Sequence, residues 1–269
     1  MSLPLEGKTA IITGSSRGIG KMLALQLAQD GANIVVCARS EQQGELPGTI
    51  GETAREVNAL GREALAVKLD LASDDDIENV VAKTRERFGG IDILVNNAVI
   101  VGPRQKLIGG NLDFFDLAYR VNVRGPVRLA QQCAAVMAGN GGGTIVNITS
   151  GSARHRDAPT APATDAELDA MDPSYGVTKA ALDRFTNAYA SELMRDNVSI
   201  MCVAPGLVIT ERIKAAAIRP NVAWDRAEPP EIISKAVSFL AQNGMKYTGR
   251  VLVAKDLVAE TTSRPVDER

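Results

Sequence analysis

Residues 9–30 limit the possible folds more than any other stretch of this chain. Thr9-Ala-Ile-Ile-Thr13 is a short apolar run rich in β-branched residues. Gly14-Ser-Ser-Arg-Gly18-Ile-Gly20 follows at once, and Lys21 to Asp30 shows helical periodicity through Met22, Leu25 and Leu27 before Gly31. The order predicts strand, glycine turn, helix. Glycines allow a tight turn and close approach of a ligand, and a helix N-terminus offers N–H groups and a positive dipole end, as a pyrophosphate requires. The plainer reading is a glycine-rich turn without a ligand. The strand and helix on either side favour the first.

The same alternation continues. Strands are predicted at Asn33–Ala38, Glu63–Leu69, Ile91–Ala98, Gly143–Thr149, Val198–Val203 and Arg250–Val253. Helices are predicted at about 50–60, from a Ser73 cap, at about 111–138, from Tyr175 to Arg195 and at about 230–243. Such alternation implies a single α/β domain over 1–269, a doubly wound parallel sheet with helices on both faces. Asp74, Asp75 and Asp76 read as a favourable first helical turn rather than a metal site. Residues 40–49, with Gly44, Pro47 and Gly48, form an unusually long strand-to-helix connection.

The charge balance excludes some partners. A formal charge of −2 gives no basic excess for nucleic acid. No apolar run reaches the length of a membrane span, and the start, Met1-Ser-Leu-Pro-Leu-Glu-Gly-Lys8, has no basic segment leading into an apolar one. Cys37, Cys133 and Cys202 are dispersed in apolar contexts and read as buried free thiols of a reducing, cytoplasmic compartment. With one histidine, His155 between Arg154 and Arg156, the chain lacks zinc ligands. His155 itself reads as a solvated loop residue.

Chemistry is concentrated in Tyr175-Gly-Val-Thr-Lys179. Positions four apart share a helix face, so the phenol and the ammonium can enter one site. A free tyrosine titrates near ~10, and a neighbouring cation lowers that value, which suits acid–base work on an alcohol or carbonyl oxygen. The plainer reading is an exposed lysine beside a half-buried tyrosine. At the end of the second strand stands Arg39, where an acid would select NAD and an arginine accommodates the 2′-phosphate of NADP. Arg17 lies in the glycine turn and supplies a second guanidinium; the alternative is that both are solvated.

These motifs, in this order over about residues 7–253, resemble the classical short-chain dehydrogenase/reductase family and its Rossmann-type fold. The Thr13-Gly-x-x-x-Gly-x-Gly20 turn, Val-Asn-Asn97-Ala98, Tyr175-x-x-x-Lys179 and Pro205-Gly206-Leu-Val208-Ile-Thr210 carry the resemblance. It implies cofactor contacts from Gly14, Ser16, Arg17, Gly18, Ile19, Gly20, Arg39, Asp70, Leu71, Asn97, Ala98, Tyr175, Lys179, Pro205, Gly206, Val208 and Thr210. Val99 stands where the family has glycine. The implied catalytic set is Asn122, Ser150, Tyr175 and Lys179, with Ser152 competing for the role of Ser150.

The resemblance further implies reversible hydride transfer between NADP(H), preferred over NAD(H), and a small carbonyl or alcohol. Tyr175 would exchange the proton, Lys179 would lower its pKa and hold the nicotinamide ribose, Ser150 would orient the substrate, and Asn122 would hold a relay water. Two other readings stay open: a dinucleotide-binding regulator or scaffold without turnover, and an epimerase or dehydratase on the same fold. A homo-oligomer, tetramer or dimer, is implied through the helices near 111–138 and 175–195. Leu182, Phe185, Ala188 and Tyr189 are expected as spare apolar surface there. Segments 153–172 and 211–230 match no motif and are expected to shape the substrate pocket, the first as a mobile lid. The tail from Thr261 to Arg269 is polar and expected to be disordered.

Overall fold

A computed structural model describes residues 2–102, 106–155, 157, 159–164, 173–211, 213 and 226–263. Half of the expected lid, including 165–172, and most of the variable segment 211–230 lie outside these residues.

Seven strands form one sheet in the order β3-β2-β1-β4-β5-β6-β7, every pair parallel. They are β1 (Thr9–Thr13), β2 (Asn33–Ala38), β3 (Ala64–Lys68), β4 (Ile93–Asn96), β5 (Gly143–Ile148), β6 (Val198–Ala204) and β7 (Val251–Val253). Side chains alternate between two cores, as a pleat requires. Ala10 and Ile12 of β1 face one core and Ile11 faces the other; Ile34 and Val36 part from Val35 and Cys37 in the same way on β2.

Helices cover both faces. The first core takes Leu23 and Leu27 from α1 (Gly18–Gln29), Val57 from α2 (Ile50–Ala59), and Val237 and Leu240 from a later helix, Pro230–Tyr247. The second takes Ile77 and Val80 from α3 (Asp74–Phe88), and Leu129 and Met137 from α5 (Gly125–Gly139). Local chemistry fixes several ends. Thr49 and Glu52 close a reciprocal capping box on α2, and Ser73 Oγ accepts from Asp76 N at 3.1 Å to start α3. The first turn of α3 is acidic as expected, and Asp74 is held by both terminal nitrogens of Arg124 at 2.7 Å.

Four expectations need correction. The span 111–138 is not one regular helix: α4 (Asp113–Tyr119) passes through a π-helical turn, Arg120–Arg124, into α5. Pro126 has no N–H to return to Asn122 four residues earlier, and widening the turn accommodates that loss. The expected 230–243 helix continues to Tyr247 as α7, across a break in helical geometry at Asn243 (φ −126°, ψ 19°). After β7 the chain forms α8 (Ala254–Ser263), which buries Leu257, so Thr261–Ser263 are helical; residues 264–269 lie outside the described residues. Leu182, on α6 (Pro173–Leu193), is buried in the protein's own interior, while Tyr189 is about half exposed. Helical spacing alone does not separate a residue facing the sheet from one facing outward.

Among the described residues no helix is long and apolar enough to cross a membrane.

Candidate active site

The sheet order reverses between β1 and β4, and the carboxyl ends of β1, β4, β5 and β6 lie side by side there. Parallel α/β sheets bind ligands at such a point. The sequence-predicted residues gather along this edge.

The glycine turn is shaped by close main-chain approach. Gly14 has φ +69°, and a Cβ there would lie 2.9 Å from Ala98 Cα. A Cβ on Gly20 would run into the Gly14 carbonyl and the Asn97 amide. Asn97 Nδ2 donates to Thr13 O at 2.9 Å. Thr13 Oγ1 accepts from both Asn97 N and Ala98 N at 3.0 Å, which locks the end of β4 onto the end of β1. α1 starts after Arg17 with no side-chain cap, so its first N–H groups keep no partner from a capping side chain. A tight, uncapped turn of this kind fits a dinucleotide's pyrophosphate. Ser16 is buried at this turn and Ile19 packs partly on the core. Neighbouring Ser15 serves the fold: it donates to Ile12 O at 2.7 Å and accepts from Cys37 N at 2.9 Å.

Arg17 reaches across to the β2 end. Its Nη2 donates to Gly48 O at 2.8 Å and Ser40 Oγ at 3.2 Å, while its buried Nε has no partner. The long 40–49 connection is thereby folded onto the glycine turn. Arg39 is exposed beside it. Asp70 Oδ1 accepts from Ala72 N at 2.9 Å, and Leu71 is buried against the helix start at Gly125. On the far side, the loop after β6 closes back: Val208 is buried, and a Cβ on Gly18 would lie 3.5 Å from Thr210 Cγ2. Gly206 turns with φ +78° directly after Pro205. Val99 is half-buried.

α6 carries Tyr175 and Lys179. Lys179 is the one charged side chain in the buried class among the described residues, 2% exposed. Its Nζ donates to Ile148 O at 2.6 Å and lies 5.9 Å from the Tyr175 ring centroid. Burial pulls its pKa down to about 8, opposed by Cys202 and Asp183. Ser150 follows β5 after Thr149, and its Oγ accepts from Ser152 N at 3.1 Å in a short turn that packs on α6. Ser152 is exposed, whereas Ser150 is half-buried at the strand end. Asn122 sits in the π turn, buried, with every polar bond made inward. Its Oδ1 accepts from Ile100 N at 2.9 Å, and its Nδ2 donates to Ile100 O at 3.0 Å and to Thr178 Oγ1 at 3.2 Å. Thr178 Oγ1 donates on to Tyr175 O at 2.9 Å, so Asn122 is linked to the Tyr175 turn.

Behind the site runs a buried polar chain that the sequence did not announce. Asn96 Nδ2 donates to Asn147 Oδ1 at 2.9 Å, and Asn147 Nδ2 donates to Thr186 Oγ1 at 2.9 Å. Cys202 Sγ donates to the same hydroxyl at 3.1 Å. The three cysteines are buried and free, and burial pushes each thiol up. His155 is exposed, and no metal-holding cluster occurs among the described residues.

Residues 8–219 match the family described as short chain dehydrogenase. The chain is 31% identical over 215 residues to an uncharacterised oxidoreductase of Thermotoga maritima, covering 80% of this chain and 77% of that protein. It is 32% identical over 262 residues to dehydrogenase/reductase SDR family member 4 of Oryctolagus cuniculus, covering 93% of each. Among solved structures, a 7α-hydroxysteroid dehydrogenase bound to NADH and 7-oxo glycochenodeoxycholic acid superposes with a TM-score of 0.78 at 29% identity, covering 94% of each chain. L-sorbose reductase from Gluconobacter frateurii, bound to NADPH and L-sorbose, superposes at 0.77 with 32% identity, covering 94% of this chain and 97% of that one. With the fold, the strand order and these matches in agreement, the chain belongs to the short-chain dehydrogenase/reductase family.

Proposed function

We propose that this oxidoreductase interconverts a small carbonyl compound and its alcohol, with NADP(H) as the preferred cofactor. The observation that carries the reading is the buried lysine: an ammonium is expensive to bury, and Lys179 is buried where it faces the Tyr175 ring. The bound nicotinamide supplies or takes up the hydride. Tyr175 donates its phenolic proton to the carbonyl oxygen in reduction and removes it in oxidation. Lys179, anchored on Ile148 O, favours the phenolate electrostatically. Ser150 presents its hydroxyl to the same oxygen. Asn122 holds the Tyr175 turn through Thr178 and supports a relay water.

Cofactor preference rests on Arg39, exposed at the β2 end, and on Arg17, which reaches the same corner. The structural relatives bound to NADH and to NADPH show that both occur in this family. The chain also forms a homo-oligomer in this reading, most simply a tetramer, through Leu117 and Tyr119 of α4 and Tyr189 of α6, each about half exposed. Three unpaired buried thiols fit a reducing compartment such as the cytoplasm.

The test is a panel of ketones, aldehydes and secondary alcohols followed at the nicotinamide absorbance band, with Tyr175→Phe as the control. Turnover by the parent that the variant loses supports the assignment. Equal turnover by both removes Tyr175 from the chemistry.

A further inference from the structure

Asp183 lies one helical turn beyond Lys179, so Tyr175, Lys179 and Asp183 form a single row on α6. The second member is buried and the third is half-buried, with one carboxylate oxygen enclosed. Asp183 Oδ1 is buried and closes no hydrogen bond of full geometry. Thr149 Oγ1, at the residue before Ser150, is likewise buried and unpaired, although it is the neighbour that most favours the Asp183 carboxylate. A buried polar atom without a full partner is costly, and the Thr149 hydroxyl and the Cys202 thiol are the donors beside this carboxyl, which sets Asp183 between its own helix and the ends of β5 and β6.

The acidic groups that face Lys179 are Tyr175 and Asp183 on its own helix and Cys202 on β6. The Cys202 thiol is pushed up by burial, far above neutrality, and carries no charge at physiological pH. Burial also raises the Asp183 carboxyl, opposed by Thr149, Cys202 and Lys179. Behind the lysine, then, Asp183 is the carboxylate that can offset the cost of burying its charge.

We propose that Asp183 is a positioning residue for the Tyr175–Lys179 pair: from behind, it holds the lysine as an ammonium and ties its helix to the strand end that leads into Ser150. The inference rests on the Tyr175–Lys179 reading above and deepens it. Asp183 touches no reacting atom. Neutralising it lets Lys179 shed its proton at lower pH, and Tyr175 then loses its cation and ionises less readily.

The test needs no substrate. The chain has four tyrosines, and the absorbance titration of the phenolate band in the parent minus that in Tyr175→Phe isolates Tyr175. The same difference is taken in the Asp183→Asn background. The Tyr175 midpoint is expected to rise by about half a pH unit or more, and Asp183→Glu to bring it back towards the parent. A midpoint that stays or falls in Asp183→Asn overturns the proposal. If Asp183→Asn does not fold, Thr149→Val carries the test: a smaller upward shift supports the proposal, and no shift overturns it. Lys179→Met separates the two levels of argument. If it fails to raise the Tyr175 midpoint, the Tyr–Lys reading falls and the Asp183 inference with it. If it raises the midpoint and Asp183→Asn does not, the inference alone fails.

Discussion

At the carboxyl ends of β1 and β2 the site is shaped by main chain: glycines without Cβ atoms, an uncapped helix start, and the Thr13 hydroxyl gathering two backbone N–H groups. At the ends of β5 and β6 it is shaped by side chains kept where water would hold them better: Lys179 on a carbonyl, Asp183 with one oxygen buried beside Thr149, Asn147 and Thr186 in a buried chain. The first region is a form that either fits a ligand or excludes it. The second is a set of charges whose values depend on one another. Injury to the first should show in binding, and injury to the second in turnover and in pH dependence.

Tyr175→Phe tests that division with the largest expected effect. It removes one hydroxyl from the charged region and leaves the glycine turn alone. Turnover is expected to fall about 10²- to 10⁴-fold, the range for a lost acid–base group, with NADPH affinity unchanged within roughly twofold. A comparable loss of NADPH affinity, read by fluorescence titration, would merge the two regions into one.

Gly20→Ala is the converse. The added Cβ has nowhere to go, because the Gly14 carbonyl and the Asn97 amide that it meets are both held by the fold. Overpacking of this kind costs about 1–3 kcal/mol and displaces the turn. NADPH and NADH affinity should fall together, while the Tyr175 titration stays where it is in the parent. Retention of parent-like affinity would show that the turn can shift freely.

Lys179→Met removes a buried charge. Folding pulls the lysine's pKa from 10.5 down to about 8, so the native state binds fewer protons than the unfolded state between those values. Stability of the parent therefore rises with pH across that window, and the burden is fully present below pH 8. The shift corresponds to roughly 3 kcal/mol, and leaving Ile148 O without its donor returns about 1. The cofactor-free variant should then be more stable than the parent at pH 7 by about 1–2 kcal/mol, an advantage that fades towards pH 10.5. Denaturant melts at both pH values read the difference, and a variant that is less stable at pH 7 would mean that Asp183, left without its cation, costs more than the lysine's burial did.

The two regions were also unequally legible. Glycine spacing betrays the first because no other residue tolerates both the positive φ of Gly14 and the contact at Gly20. The parallel sheet with helices on both faces follows from alternation and was read correctly, whereas the order of its strands has no such signal. In the second region, Tyr175 and Lys179 were visible from their four-residue spacing, yet Asp183 was not. Beside Arg184 it reads as an ordinary surface acid, and only the tertiary fold encloses one of its carboxylate oxygens. The π turn around Asn122 had a signal in Pro126, which cannot donate to a carbonyl four residues back, but a run of good helix formers on either side outweighed it. Leu182 was placed on the surface for a related reason: periodicity finds a stripe but not what covers it. α8 was missed because the family's pattern ends near its start, although Leu257 supplies a buried anchor.

The smallest expected effect concerns the corner where main chain and charge meet. Arg17 is fixed by Gly48 O and Ser40 Oγ, whereas Arg39 is exposed and projects from the β2 end. A guanidinium already held by the fold resists substitution less gracefully than one in solvent, so the two arginines should separate. Arg39→Asp replaces a cation by an anion that repels a 2′-phosphate and accepts from a 2′-hydroxyl. It should weaken NADPH binding about tenfold, improve NADH relative to it, and leave the melting temperature within a degree or so, as surface substitutions usually do. Arg17→Ala should weaken both cofactors and also lower the melting temperature, because it releases the 40–49 connection from the glycine turn. The ratio of NADPH to NADH affinity is the discriminating number: a parent that already binds NADH more tightly than NADPH, or an Arg39→Asp variant whose ratio does not move, places the 2′-phosphate away from this corner and removes the basis for an NADP(H) preference.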